Sequence, residues 1–129
     1  MERERLNQIA ELTLDCAFRV HRALGPGLLE SAYKACLAVE LAEAGLVVEI
    51  ETPVPLIYKA QKVSDIGYRI DLLVERELVL EIKSVEALAP IHFAQLLSYL
   101  RLSNRRLGIL MNFNSVLLRD GIKRVANDF

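Results

Sequence analysis

The chain has 129 residues, 53% of them hydrophobic and 26% charged, with a formal net charge of −1. That length suits one domain with a single hydrophobic core, and so small a net charge sets up no global positive field to draw in nucleic acid. Cys16 and Cys36 are too few for a disulfide framework or a metal cluster; lying in apolar helical patterns, both read as small buried hydrophobes.

The N-terminal MERERLNQIAEL alternates charge signs without the apolar run of a secretory leader. No stretch reaches the ~18 apolar residues of a membrane span, so the expected setting is cytoplasmic, away from membranes. Leu6, Ile9, Leu12, Leu14, Ala17, Val20 and Leu24 suit a helix over residues 5–23, ended by the breaker Gly25-Pro26-Gly27. A second helix is expected from Leu28 through LLESAYKACLAVELAEAG to a Gly45 cap. Val47–Tyr58 is rich in β-branched residues but broken by Pro53 and Pro55, which predicts an edge or irregular strand. Residues 68–74 and 78–84 form a hairpin, and Pro90 opens a third helix to about Leu102. After a polar SNRR turn, Leu107–Phe113 reads as a buried strand, and residues 115–126 as a last helix or strand. Arg101, Arg105, Arg106, Arg119, Lys123 and Arg124 outweigh Asp120 and Asp128 near the C-terminus, which suits a phosphate-facing side or an ordinary solvated surface. The order α-α-β-β-β-α-β implies an α/β (α+β) domain over residues 1–129, a mixed central sheet flanked by helices.

The hairpin RIDLLVERELVLEIKSV carries the chemistry. A turn centred on Arg76 sets Asp71 opposite Glu81, Leu73 opposite Val79, Val74 opposite Leu78 and Arg69 opposite Lys83. Glu81 and Lys83, two apart, then share the face of Asp71, while Ile70, Leu72, Leu80 and Ile82 form the other, core-directed face. Carboxylates ~4 Å apart repel by ~4 kcal/mol at an effective dielectric of 20. A hard divalent cation offsets that repulsion. The alternative is a partly solvated hairpin end in which Lys83 simply pairs with Glu81 or Asp71.

Two helices add polar stripes. His92, Gln95, Leu96 and Tyr99 share one face of the third helix, beside Phe93, Leu97 and Leu100. Such a stripe can bind phosphate or border a site, or it can be structural, with Tyr99 half-buried and His92 a scaffold residue. On the second helix Glu30 and Tyr33 share a face with Leu37 and Glu40. Glu30 suits the positive end of the helix dipole or serves as a further acid near the metal; Glu40 suits a solvated position or a surface ion pair.

From about Leu12 to Val125 the chain resembles the small bacterial GxxExxY family, with Gly27-Leu28-Leu29-Glu30-Ser31-Ala32-Tyr33 supplying the motif and the HRALGPG and LGILMNF stretches extending it. That family is in turn similar to the PD-(D/E)XK, or restriction-endonuclease-like, nuclease superfamily. The resemblance implies a restriction-endonuclease-like core and the following roles. Asp71 matches the aspartate of the first half-motif, with Ile70 in place of proline, and Glu81-Ile82-Lys83 matches the second half-motif. Glu30 matches the acid of the preceding helix, supported by Tyr33, while Gln95 and Tyr99 match the helix motif of RecB-like members. Asp71 and Glu81, with Glu30, would ligate Mg²⁺ or Mn²⁺, Lys83 would assist the hydrolytic water, and Gln95 and Tyr99 would border the site, with His92 of the same stripe in support. His21 and Asn112 lie in similar stretches without an assigned role. The expected function is metal-dependent cleavage of phosphodiesters in DNA, or secondly RNA. The second alternative is a catalytically inactive module that keeps the nuclease fold and binds nucleic acid or a protein partner; a third, compatible with the nuclease reading, is a structural homodimer subunit.

Overall fold

The computed structural model describes residues 2–129. Gly25 and Gly27 take φ of 68° and 102°, left-handed values that end α1 (Arg3–Leu24) and reverse the chain into α2 (Glu30–Glu43). The fully buried Tyr33 locks this reversal: its hydroxyl donates to the Gly25 carbonyl (2.5 Å) and accepts from the Leu28 N–H (3.0 Å), while its ring stacks on Phe113 at 4.7 Å.

The strands are β1 (Val48–Tyr58), β2 (Gln61–Val74), β3 (Leu78–Lys83), β4 (Leu107–Asn112) and β5 (Ile122–Ala126), and they lie side by side in chain order. Only β3 and β4 run parallel, joined by the crossover helix α3 (Pro90–Leu102). On one side of the sheet α1 and α2 pack Leu6, Ile9, Ala17, Leu37 and Leu41 against Leu72, Leu80, Ile82, Ile109 and Met111. On the other side α3 packs Leu96 and Leu100 against Leu73, Val79 and Leu110. Two layers of helix thus enclose one mixed sheet, a restriction-endonuclease-like α+β arrangement.

The expected register holds for Leu72↔Leu80, Leu73↔Val79 and Val74↔Leu78, and there the ladder stops. Asp71 therefore does not pair with Glu81 across the ladder, nor Arg69 with Lys83. Ile82, which the register would set opposite Ile70, gives its N–H to Asp71 Oδ2 instead (2.8 Å). Past that point Ile70 leaves the layer of Leu72, Leu80 and Ile82 and packs on the α3 side with Val54. Its partner strand bends at the same level, where Glu51 takes a left-handed φ of 51°. Strict alternation predicts neither change.

Beyond the ladder's end β1 and β2 pair only with each other, out to a tip where Lys59 and Ala60 both have positive φ. Such a turn normally takes Asn or Gly, so β2 starts at Gln61, seven residues before the expected boundary of 68. The 115–126 segment resolves into a 3₁₀ turn (Leu118–Gly121) and strand β5. Cys16 is buried as expected, but Cys36 is exposed, on the outer side of α2 from Leu37. Leu12 and Leu24 likewise stay exposed at 41% and 37%. Glu40 makes the anticipated surface ion pair, with Arg19 at 3.1 Å.

Replacing Tyr33 by Phe leaves the Gly25 carbonyl and the Leu28 N–H unpaired next to the core, so stability should fall by ~1–3 kcal/mol in urea unfolding. An unchanged midpoint would mean that the turn does not rely on this hydroxyl.

Candidate active site

The parallel strands β3 and β4 end together, Lys83 paired with Asn112, and the open end of the sheet lies there. Carboxyl ends of parallel strands are where α/β sheets bind ligands. Because Leu110 faces α3, its ladder partner Glu81 does too, and Lys83 and Asn112 two residues on share that side.

Glu81 is only 7% exposed, and its Oε1 has no hydrogen-bond partner. Burial, then the negative charge of Asp71, pushes its carboxyl up to about 9; the Lys83 ammonium pulls it back the other way. Asp71 is half-buried, with Oδ2 committed to the Ile82 N–H. Among the described residues neither acid has a Lys, Arg or His within 4.0 Å. The salt-bridged hairpin end therefore does not form: the two acids face one another and Lys83 stands clear of both.

Tyr99 closes the α3 side. Burial, then Glu81, then Asp71 raises its hydroxyl above the ordinary tyrosine value, which sets it beside the acid pair. Its ring stacks on Tyr68 at 4.0 Å, and the Tyr68 hydroxyl, pushed up to about 12 chiefly by burial, donates to the Tyr99 carbonyl (2.6 Å). Tyr68 was invisible to motif reading. Only its position three residues before Asp71, on the strand that turns toward α3, links it to the site. Gln95 is exposed one turn before Tyr99. His92 caps the helix: its Nδ1 accepts the Ala89 N–H at 3.0 Å, so its structural role is the one the geometry displays.

The remaining helix residues arrive from the other side. Glu30 begins α2, exposed, with no side-chain hydrogen bond capping the helix. The Tyr33 hydroxyl is spent on the preceding turn, so it holds the approach to Glu30 and not Glu30 itself. Ser84, next to Lys83, donates to the Leu28 carbonyl (2.6 Å) and ties that turn to the end of β3. Asn112, unassigned from sequence, is 3% exposed and clamps the chain leaving β3: it accepts from the Val85 N–H and donates to the Val85 carbonyl at 3.1 and 3.0 Å. His21 meets the Ser115 carbonyl at 2.8 Å, fixing the loop after β4.

Among the described residues no three His, Cys, Asp or Glu side chains converge on one ion position. Asp71 and Glu81 form a pair, with Glu30 outside it. The donor set still fits a hard divalent cation: two carboxylates, one oxygen unpartnered, in a partly desolvated place.

The raised Glu81 carboxyl has a signed consequence. Below its ordinary range, near pH 4, folded and unfolded chains both hold the proton. As pH climbs toward about 9 the unfolded chain releases a proton that the folded chain keeps, so folding is progressively penalised. In chelator, Glu81→Gln should therefore melt above wild type at pH 7–8, with the two curves meeting near pH 4; parallel curves would contradict the burial of this acid.

The sequence pattern of the PD-(D/E)XK nuclease superfamily matches residues 7–125, from the first turns of α1 into β5. Neither a curated protein nor a solved structure matches the chain. The superfamily pattern covers nearly the whole fold, and the acid pair and lysine lie on adjacent strands as two half-motifs require: the chain belongs to the PD-(D/E)XK nuclease superfamily.

Proposed function

We propose that the protein is a metal-dependent phosphodiesterase, a nuclease acting on DNA and secondly on RNA, with Mg²⁺ or Mn²⁺ as its ion. The observation that carries this reading is Glu81: a carboxylate buried beside a second carboxylate, one oxygen unpartnered, with no cationic side chain in range. A protein that needed only a core would place Leu or Val there. Asp71 and Glu81 are the proposed ligands, and Glu30, at the α2 N-terminus tied to Ser84, is the acid that would complete the set through water.

When bound, the divalent ion offsets the repulsion of the acids and polarises the scissile phosphate. The chain's own groups supply the rest. Asp71 Oδ2 is oriented by the Ile82 N–H, which fixes the carboxylate relative to Glu81. Lys83, in no ion pair among the described residues, stabilises the negative charge that develops as water oxygen bonds to phosphorus and an ester P–O bond breaks. Protons released by the water pass to solvent and to the leaving oxygen. Tyr99, held by its stack on Tyr68, walls the acids from water, and Gln95 borders the approach.

The same burial favours a second reading. If the Glu81 proton stays in place at neutral pH, the chain is a non-catalytic module that binds nucleic acid or a protein partner. A pair of copies would let so small a core grip a duplex, which light scattering with and without duplex would reveal.

Purified protein with single- and double-stranded DNA and RNA, in Mg²⁺ or Mn²⁺, tests the first reading. Lys83→Ala should lower cleavage at least ~100-fold, and Asp71→Asn should abolish the Mn²⁺-induced rise in melting temperature. Cleavage that persists in Lys83→Ala would come from a contaminant and defeat the assignment.

A further inference from the structure

A cavity of about 320 Å³ opens near the carboxyl end of β4 and the amino end of β5, beside but separate from the acid pair. That is the lower end of the ~300–1,000 Å³ range of small-molecule sites. Leu88 and Phe93 give it an apolar wall and also pack on the α3-side core. Glu86, Asp120 and Lys123 line it as exposed charged groups, and among the described residues no ion pair joins them to one another.

The register fixes how this cavity relates to the acids. Glu81 pairs across the sheet with Leu110, and Leu110 pairs with Lys123. The three form a row on one face, so Lys123 lies about two strand spacings, ~10 Å, from Glu81. Asn112 lines the cavity while its amide clamps Val85, two residues past Lys83. Gly121 keeps the wall closed: a Cβ there would lie 2.5 Å from the Asn112 carbonyl oxygen and 2.5 Å from Ser115 Oγ. A single nucleic-acid strand lying across the row can thus meet both places at once.

We propose that this cavity holds the unpaired base of a nucleotide flanking the scissile phosphate, with guanine preferred. The proposal rests on the nuclease reading for the strand's presence and adds what the strand must look like. Phe93 and Leu88 offer the flat apolar contact on which an unstacked base lies. A carboxylate accepts two hydrogen bonds side by side, and guanine alone among the common bases presents two adjacent donors, N1–H and the N2 amino group, beside the acceptor O6. The Asp120 carboxylate takes the donors and the Lys123 ammonium takes O6. These atoms form guanine's pairing edge, so the base at this position cannot be in a duplex. The substrate is single-stranded or splayed there.

The test is a calorimetric titration of the full chain, in chelator, with the 5′-monophosphates of guanosine, adenosine, cytidine and uridine and with inorganic phosphate. Guanosine monophosphate should bind tightest. Phe93→Ala and Asp120→Asn should each weaken it about ten-fold. Asp120 is exposed, so its variant keeps the fold even if Phe93→Ala does not. Equal affinity for the four nucleotides, full displacement by phosphate, wild-type affinity in Asp120→Asn, or no binding would each overturn the proposal. Cleavage assays separate the two readings: activity without guanine preference sinks the base site alone, whereas guanine binding without cleavage of any substrate sinks the nuclease alone.

Discussion

The geometry of the site depends on one hydrogen bond, from the Ile82 N–H to Asp71 Oδ2. It replaces a backbone rung with a side chain, at the point where the β2–β3 ladder ends after Leu72↔Leu80. Because the peptide donor is satisfied, β2 can leave β3 without the cost of an orphaned buried N–H. The divergence then does three things. It lets β1 and β2 continue as a two-stranded arm, turns Ile70 and Tyr68 toward α3, and opens a gap between β2 and β3 at the level of Asp71 and Glu81.

What sits in that gap is electrostatically uncomfortable. Like charges ~4 Å apart at an effective dielectric of 20 cost ~4 kcal/mol, and desolvation adds to it. For Glu81 burial is the larger influence and Asp71 the second. The order matters: an exposed acid pair would relax into water, whereas a buried acid must keep a proton or exchange it for a cation. The core on both sides of the sheet holds this arrangement in place, as strained functional sites require.

Much of this was legible in the chain itself. Leu72, Leu73, Val74 and Leu78, Val79, Leu80 pair about a turn at Arg76, and every register of that parity keeps Asp71 and Glu81 on one face, so the placement of Asp71 near Glu81 followed from counting. The break just beyond could not be counted, because a carboxylate that takes a backbone donor leaves no periodic trace. Ile70 looks like the next core residue of its row, and only the bend shows otherwise. The arm was hidden because Lys59-Ala60 adopts a turn conformation that its side chains do not advertise. Tyr33, His92 and Asn112 were noticed as polar residues in suggestive places, but each hydroxyl, imidazole or amide could equally face a substrate or a nearby backbone. Tertiary contact decided it, and all three hold backbone.

The result is a division of labour between two kinds of polar residue. Among the described residues Asp71, Glu81 and Lys83 form no ion pair with one another, and Glu81 must hold a proton or a cation, so replacing its acid by an amide relaxes the protein. Tyr33, Ser84, Asn112 and His92 have their hydrogen bonds committed to backbone at the turns that meet the open end of the sheet, so removing them loosens it. Substitutions in the first group should separate function from stability, and those in the second should lower both together. The four backbone clamps come from α2, α3, β4 and the residue that follows β3, so both helical layers and the parallel strands fix the end of the sheet. An ion or a phosphate arriving there would meet groups already in position, and binding free energy would not be spent on ordering the loops.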